Sequence, residues 1–190
     1  YSPSGRTMID VLEKAGLVHN VMKFRDGKLI FTEDKTGVKI TGLYGRRAGL
    51  DRLEYASLEK KHLEAEKGFK IFMFHTTLEE FKPQELKNIE GESYMHMPRG
   101  FSYYAGGHVH YLFDTYKKDF GLIVYPGPIF PNSFKELEEL KHGGLCIVDD
   151  NLNLKRIGIC LKQVESFLID VSEMYPEEVH RFIISELAKR

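Results

Sequence analysis

The sequence predicts a mixed α/β (α+β) fold, and three observations predict it. Apolar residues recur at helical spacing near the start, in the middle and at the end of the chain. Strand-length apolar runs, bounded by glycine and aspartate turns, lie between those segments. Hydrophobic residues make up 42% of the 190 residues, enough for a buried core and too many for a disordered chain.

Met8, Val11, Leu12 and Ala15 share one helical face, and Gly16 stops that helix. Leu17–Phe24 reads as a strand, Asp26-Gly27 as a hairpin turn and Lys28–Thr32 as the return. After a turn at Asp34–Gly37, Val38–Leu43 completes a small antiparallel meander. Gly42–Gly49 is a glycine- and arginine-rich loop. Asp51–Glu66 is a charged helix with Leu50, Leu53, Ala56 and Leu63 on its inner side. Lys70–Phe74 is a short apolar strand that runs into His75, and Glu79–Ile89, interrupted by Pro83, is loop with some helix.

Phe101–Ala105 is a strand broken by Gly106-Gly107, and His108-Val109-His110 opens the next one. A turn at Lys117–Phe120 leads into Gly121–Tyr125. Leu145–Val148 and Lys155–Cys160 form a hairpin about Asp149–Asn153, and Ser166–Val171 is a further strand. Pro176 opens the last helix, with Val179, Phe182, Ile183 and Leu187 on one face. A boundary near Val164 divides residues 1–163 from a smaller unit at 164–190.

Charge and cysteine content narrow the function. The formal net charge is -1, which argues against holding nucleic acid through a global positive field while leaving room for a local basic groove. Cys146 and Cys160 sit in apolar strands and read as buried thiols, and low cysteine use fits a cytoplasmic location. No apolar run approaches membrane-spanning length, and no signal peptide opens the chain, so no membrane partner is expected.

Three of the eight histidines carry chemical promise. His75 ends a buried strand, and in open α/β sheets ligands gather beyond the carboxyl ends of strands. His108 and His110, two apart on an extended segment, put both rings on one side of the chain. Neighbouring imidazoles do not both protonate cheaply but suit a metal, and the preceding glycines let the backbone approach an ion closely. A strand-end histidine by itself is more often a hydrogen-bonded surface residue. His19, His62, His96, His142 and His180 lack comparable context. Arg6 and the Arg46-Arg47 pair are candidate contacts to a phosphate backbone, although either is more often a solvated charge. Tyr94 and Met95 are placed at a lip near the site.

Phe72-Met73-Phe74-His75, then Tyr103-Tyr104-Ala105-Gly106-Gly107-His108-Val109-His110, then Val124-Tyr125-Pro126-Gly127 resemble, in order, the later motifs of calcineurin-like metallophosphoesterases. Ser133-Phe134-Lys135-Glu136 followed by Gly143-Gly144-Leu145-Cys146-Ile147-Val148 resembles a narrower group, the DNA double-strand-break repair exonucleases. Val164–Val171 is similar to the entry to that group's capping domain. The resemblance implies a layered β-sandwich flanked by helices, with 164–190 as the start of the capping domain. It implies a metal-dependent phosphodiester hydrolase, a nuclease acting on DNA with an ATPase partner of the chromosome-maintenance type. It also implies manganese: His75 and His108 on one ion and His110 on a second, the pair roughly 3.5–4 Å apart.

The same resemblance calls for Asp-x-His, Gly-Asp-x-x-Asp and Gly-Asn-His-Asp/Glu motifs, none of which the sequence contains. Tyr1–Gly5 resembles the segment that follows the last of them. The expectation is therefore that an N-terminal part is missing, with the bridging carboxylate and the leaving-group histidine upstream of Tyr1. No catalytic residue is assigned within the chain. Two close dications need negative charge between them, so at most one ion is expected here, held by three histidines and water. Little nuclease activity is expected of the chain by itself, and a homodimer is expected to cover sheet surface otherwise left open. Two rival readings are a cupin-like metal barrel, against which the three helices argue, and a non-catalytic docking module for the ATPase.

Overall fold

The structure is a computed structural model that describes residues 7–45 and 50–189. It begins with α1 (Met8–Lys14), entered through Asp10, whose carboxylate accepts the backbone N–H and the hydroxyl of Thr7. Gly16, at φ 72°, ends the helical turn as the sequence predicts. β1 (Lys23–Arg25) and β2 (Lys28–Ile30) pair around Asp26-Gly27, whose φ angles of 51° and 75° are those of a two-residue hairpin turn. The predicted strand from Leu17 survives only at its end. The Asn20 N–H donates to Glu13 Oε1 and the Met22 N–H to Asn20 Oδ1, each at 2.9 Å, so side chains take up donors that a ladder would use.

The central sheet contains β3 (Thr32–Glu33), β4 (Lys39–Gly42), β5 (Lys70–His75), β6 (Tyr103–Gly107), β7 (Leu112–Lys117) and β8 (Gly121–Pro126). Its order is β3-β4-β5-β6-β8-β7. β4, β5, β6 and β8 run parallel, while β3 and β7 are antiparallel edges. The antiparallel meander expected at the start is thus replaced by a separate β1–β2 hairpin and a β3–β4 pair that joins the large sheet. The sheet is open, with two edges, so the arrangement is mixed α/β rather than a metal-binding barrel.

Between β4 and β5 the chain forms α2 (Leu50–Ser57) and α3 (Lys61–Ala65) instead of one long helix. Leu53 and Ala56 are exposed, and the inward positions belong to Tyr55 and Leu63. A large aromatic ring buries more apolar area than alanine, which is why Tyr55 takes the core position. At the break, Lys60 Nζ donates to the His96 carbonyl at 2.9 Å.

One face of the sheet forms the core. Phe72, Tyr104, Ile123 and Tyr125 are fully buried there, with Phe74, Phe101 and Phe120 nearly so. Burying a side chain of this size stabilises by about 1.5–3 kcal/mol. Tyr94, expected at a lip of the site, stacks on Phe81 at 5.2 Å and meets Phe120 edge-on at 5.0 Å, so it belongs to the core packing. The other face is covered in part by a hairpin of β9 (Gly143–Val148) and β10 (Leu154–Ile159). Arg156 Nη2 donates to Asp114 Oδ1 of β7 at 2.7 Å and pins the hairpin there. Cys146 is only half-buried and Cys160, just past β10, is exposed, which corrects the expectation of two buried thiols.

α4 (Phe134–Leu140) precedes the hairpin and α5 (Pro176–Ala188) ends the chain. Ser166–Val171 is not a strand: Phe167 and Leu168 are exposed, and no described strand pairs with the segment. Among the described residues no helix is long and apolar enough to cross a membrane.

Candidate metal centre

The carboxyl ends of β4, β5 and β6 lie side by side, and two of the predicted residues, His75 and His108, meet there. In β5 burial alternates: Lys70, Phe72 and Phe74 point into the core while Met73 and His75 are exposed on the outer face. Strand register pairs His75 with Gly107, the last residue of β6. His108 follows immediately, and its ring stands edge-on to that of His75 with the centroids 5.3 Å apart.

Glycines make this approach possible. A Cβ on Gly107 would lie 2.8 Å from His75 Nδ1, and one on Gly45 would lie 2.5 Å from His75 Cδ2. The imidazole therefore occupies a slot walled by two backbones, one leaving β4 and one ending β6. Gly106-Gly107 does not break β6, as the sequence predicts, but completes it. The break comes one residue later, at His108, whose φ is 85°. A non-glycine residue in this region is uncommon and is held there by its surroundings.

His110 takes a different partner. Residues 108–110 are not a strand, yet burial alternates, with Val109 buried and both histidines exposed. His110 Nδ1 lies 3.0 Å from Glu136 Oε1. The same carboxylate accepts the Asn132 N–H through Oε2 at 2.8 Å, and its residue is the third of α4, whose Ser133 cap accepts the Glu136 N–H at 3.2 Å. These hydrogen bonds, from Asn132 first and then from His110, hold the Glu136 carboxyl below its ordinary pKa and so ionised at neutral pH. Because an ionised carboxylate only accepts, His110 Nδ1 carries the proton. Sequence reasoning missed Glu136 as a partner, and the available signal was the Ser-x-x-Glu capping pattern at the start of α4.

The site thus pairs His75 with His108 and His110 with Glu136. Among the described residues, no group of three or more histidine, cysteine, aspartate or glutamate side chains stands together as a ligand set. The His75–His108 pair nevertheless suits an ion. A metal about 2.0–2.1 Å from one nitrogen of each ring would hold the centroids roughly 5 Å apart, and the slot around His75 leaves no room for any side chain at Gly45 or Gly107.

Three of the other histidines have local partners. His62 Nε2 meets the Leu29 carbonyl at 2.6 Å, His96 Nδ1 meets Glu92 Oε1 at 2.5 Å, and His142 Nδ1 meets the Gly143 carbonyl at 2.8 Å. Arg6, Arg46 and Arg47 lie outside the described residues. Gly45, the last described residue before the arginine pair, is the one against the His75 ring. No protein-family model matches the chain, and no curated protein matches it.

Proposed function

We propose that the chain is a metal-dependent phosphodiester hydrolase acting on DNA, with His75, His108 and His110 as metal ligands. The observation that carries this reading is the edge-on approach of His75 and His108 in a glycine-walled slot at the carboxyl ends of parallel strands. In open sheets that edge is where ligands bind. The finer fold reading, a layered metallophosphoesterase-type sandwich, draws support from the outer face of β5, where Met73 is exposed and a second layer would stack.

Bound manganese would supply positive charge to the phosphate and lower the pKa of a water. The chain's own residues hold and orient. His75 is fixed by the two glycine backbones, and His108 by its left-handed backbone at the end of β6. His110 presents Nε2, since Nδ1 is engaged by Glu136. The sequence contains no Asp-x-His or Gly-Asp-x-x-Asp motif to bridge two dications, so the chain by itself holds at most one ion. It therefore carries the later half of a two-metal site.

A cytoplasmic location and pairing with a second copy through open sheet surface belong to the same proposal. A second reading, docking of an ATPase partner, is favoured by exposed apolar side chains at Phe167, Leu168, Ile183, Ile184 and Leu187.

Digestion of linear duplex and single-stranded DNA with added manganese, with His108→Ala as control, tests the function. Little cleavage is expected from the chain by itself. Robust cleavage that His108→Ala abolishes would establish the hydrolase and overturn the half-site assignment. Manganese-independent behaviour in every assay, with no ion bound at the histidines, would overturn the hydrolase reading.

A further inference from the structure

We propose that the β9–β10 hairpin is a strap: it swings as a unit about its base at Gly143 and uncovers the outer face of β6 and β8.

Strand register defines what the strap covers. Tyr103 aligns with Leu122, and Ala105 with Val124, which in turn faces Asp114 of β7. Residues aligned across neighbouring strands share a face of the sheet. Leu122 and Val124 are buried but stand outside the core cluster of the opposite face, so the hairpin is their cover. Cys146 and Arg156 are register partners on its inner side. Arg156 reaches down to Asp114, and its other terminal nitrogen lies 3.5 Å from Cys146 Sγ. The next pair, Ile147 and Lys155, lies on the far side and is exposed.

The attachment is tight at one end only. At the base, the Gly144 N–H donates to the Pro128 carbonyl at 3.0 Å, and a Cβ on Gly143 would fall 1.7 Å from the Ile129 carbonyl oxygen. Above the base, no strand of the six-stranded sheet pairs with β9 or β10 among the described residues. Arg156 and Asp114 tie the two layers, but their side chains are 33% and 47% exposed, and ion pairs so wet contribute little. The layers also fail to close. A cavity of about 80 Å³ lies between them, bordered by Leu112 and Pro126 of the sheet and by Leu145 and Ile157 of the hairpin. Atoms facing a void lose dispersion contacts. A unit with few buried apolar contacts opens at a lower free energy than the whole fold. The swing enlarges the open sheet face. Met73, already exposed, aligns with Ala105 and through it with Val124, so opening joins these positions in one row.

The test uses the full chain with Cys160→Ser, which leaves Cys146, on the inner side, as the one thiol. Two quantities are measured below the unfolding transition in urea: the protection of Cys146 against iodoacetamide, and the protection of the β9–β10 ladder amides against hydrogen exchange. Cys146 is expected to be protected relative to the unfolded chain, with little dependence on urea, and less strongly than the ladder amides. That order means the hairpin lifts while its own ladder stays paired. Asp114→Ala, on the edge strand, is expected to speed labelling roughly two- to five-fold, and Lys155→Ala to leave it unchanged. Labelling that rises with urea as steeply as global unfolding would overturn the proposal. So would equal protection of thiol and ladder amides, which would mean that the hairpin melts. An unprotected Cys146 would show that no closed strap exists, and an Asp114→Ala chain that folds but labels like its parent would remove the tie. The first two comparisons need no variant of the ion pair, so they decide the matter even if Asp114→Ala does not fold.

Discussion

The hydroxyl of Tyr125 donates to the carbonyl of Thr76 at 2.6 Å and accepts the N–H of Leu78 at 3.0 Å. Thr76 directly follows His75, so a fully buried side chain of β8 fixes the backbone on which the candidate ligand sits. Burial raises the phenol pKa far above its ordinary value, and the hydroxyl keeps its proton at any ordinary pH. Tyr125→Phe leaves a buried carbonyl and a buried N–H without that partner. It is expected to cost about 1–3 kcal/mol in urea denaturation and to weaken manganese binding by loosening His75. An unchanged denaturation midpoint would contradict this role.

Gly107→Ala tests the slot. The added methyl would meet His75 Nδ1 at 2.8 Å, closer than a real Cβ tolerates, so the ring must move. Manganese affinity is expected to fall at least as far as in His75→Ala, while a melting curve shows the fold retained. An alanine variant that binds like wild type would show that the ring has room the glycine walls do not suggest.

The parts of this fold that the sequence revealed are those set by local chemistry. Asp26-Gly27 turns where it is expected to because its positive φ angles suit those residues, and Asp149–Asn153 does so because the Asp149 carboxylate accepts the N–H groups of Asn151 and Asn153. β5 and β8 were legible as continuous apolar runs, the signature of strands covered on a face by packing. What was not legible depended on distant partners. Leu17–Met22 looks like strand, but the N–H groups of Asn20 and Met22 go to the Glu13 and Asn20 side chains. Ser166–Val171 has an apolar run of strand length but no described strand beside it. At the site, His75 and His108 were legible from strand ends and glycines. The turn of His110 toward Glu136 depends on where α4 packs, which no local pattern encodes.

Acid should weaken the β9–β10 turn. Asp149 lies below its ordinary pKa, chiefly through the Asn153 side-chain amide, which donates to Oδ2 at 2.8 Å, then through the N–H groups of Asn153 and Asn151 to Oδ1. A carboxyl depressed in the folded state contributes stability above its unfolded pKa of about 3.9 and loses it as pH falls through the lower folded value. The melting-temperature difference between wild type and Asp149→Ala is therefore expected to be full near neutral pH and to shrink as pH falls below about 4. A difference that persists or grows at low pH would reverse the sign and reject the assignment.

The open sheet surface predicts self-association. Met73 is 45% exposed on the outer face of β5, and Leu112 and Tyr116 are exposed along the edge strand β7. Unpaired edges and uncovered apolar faces favour association. Sedimentation velocity is expected to show a concentration-dependent dimer that Met73→Lys weakens. A homogeneous 22.0 kDa monomer that unfolds cooperatively would remove the dimer from the account.

The most direct test of the central claim is manganese stoichiometry on the purified chain, measured by electron paramagnetic resonance of the free ion, for wild type, His75→Ala and His108→Ala. The two rings stand 5.3 Å apart and edge-on, so one ion between them should need both. The account predicts saturable binding of about one ion per chain, lost in either single variant although each still folds. Binding that survives both substitutions unchanged, or no binding by the folded wild-type chain, would contradict it.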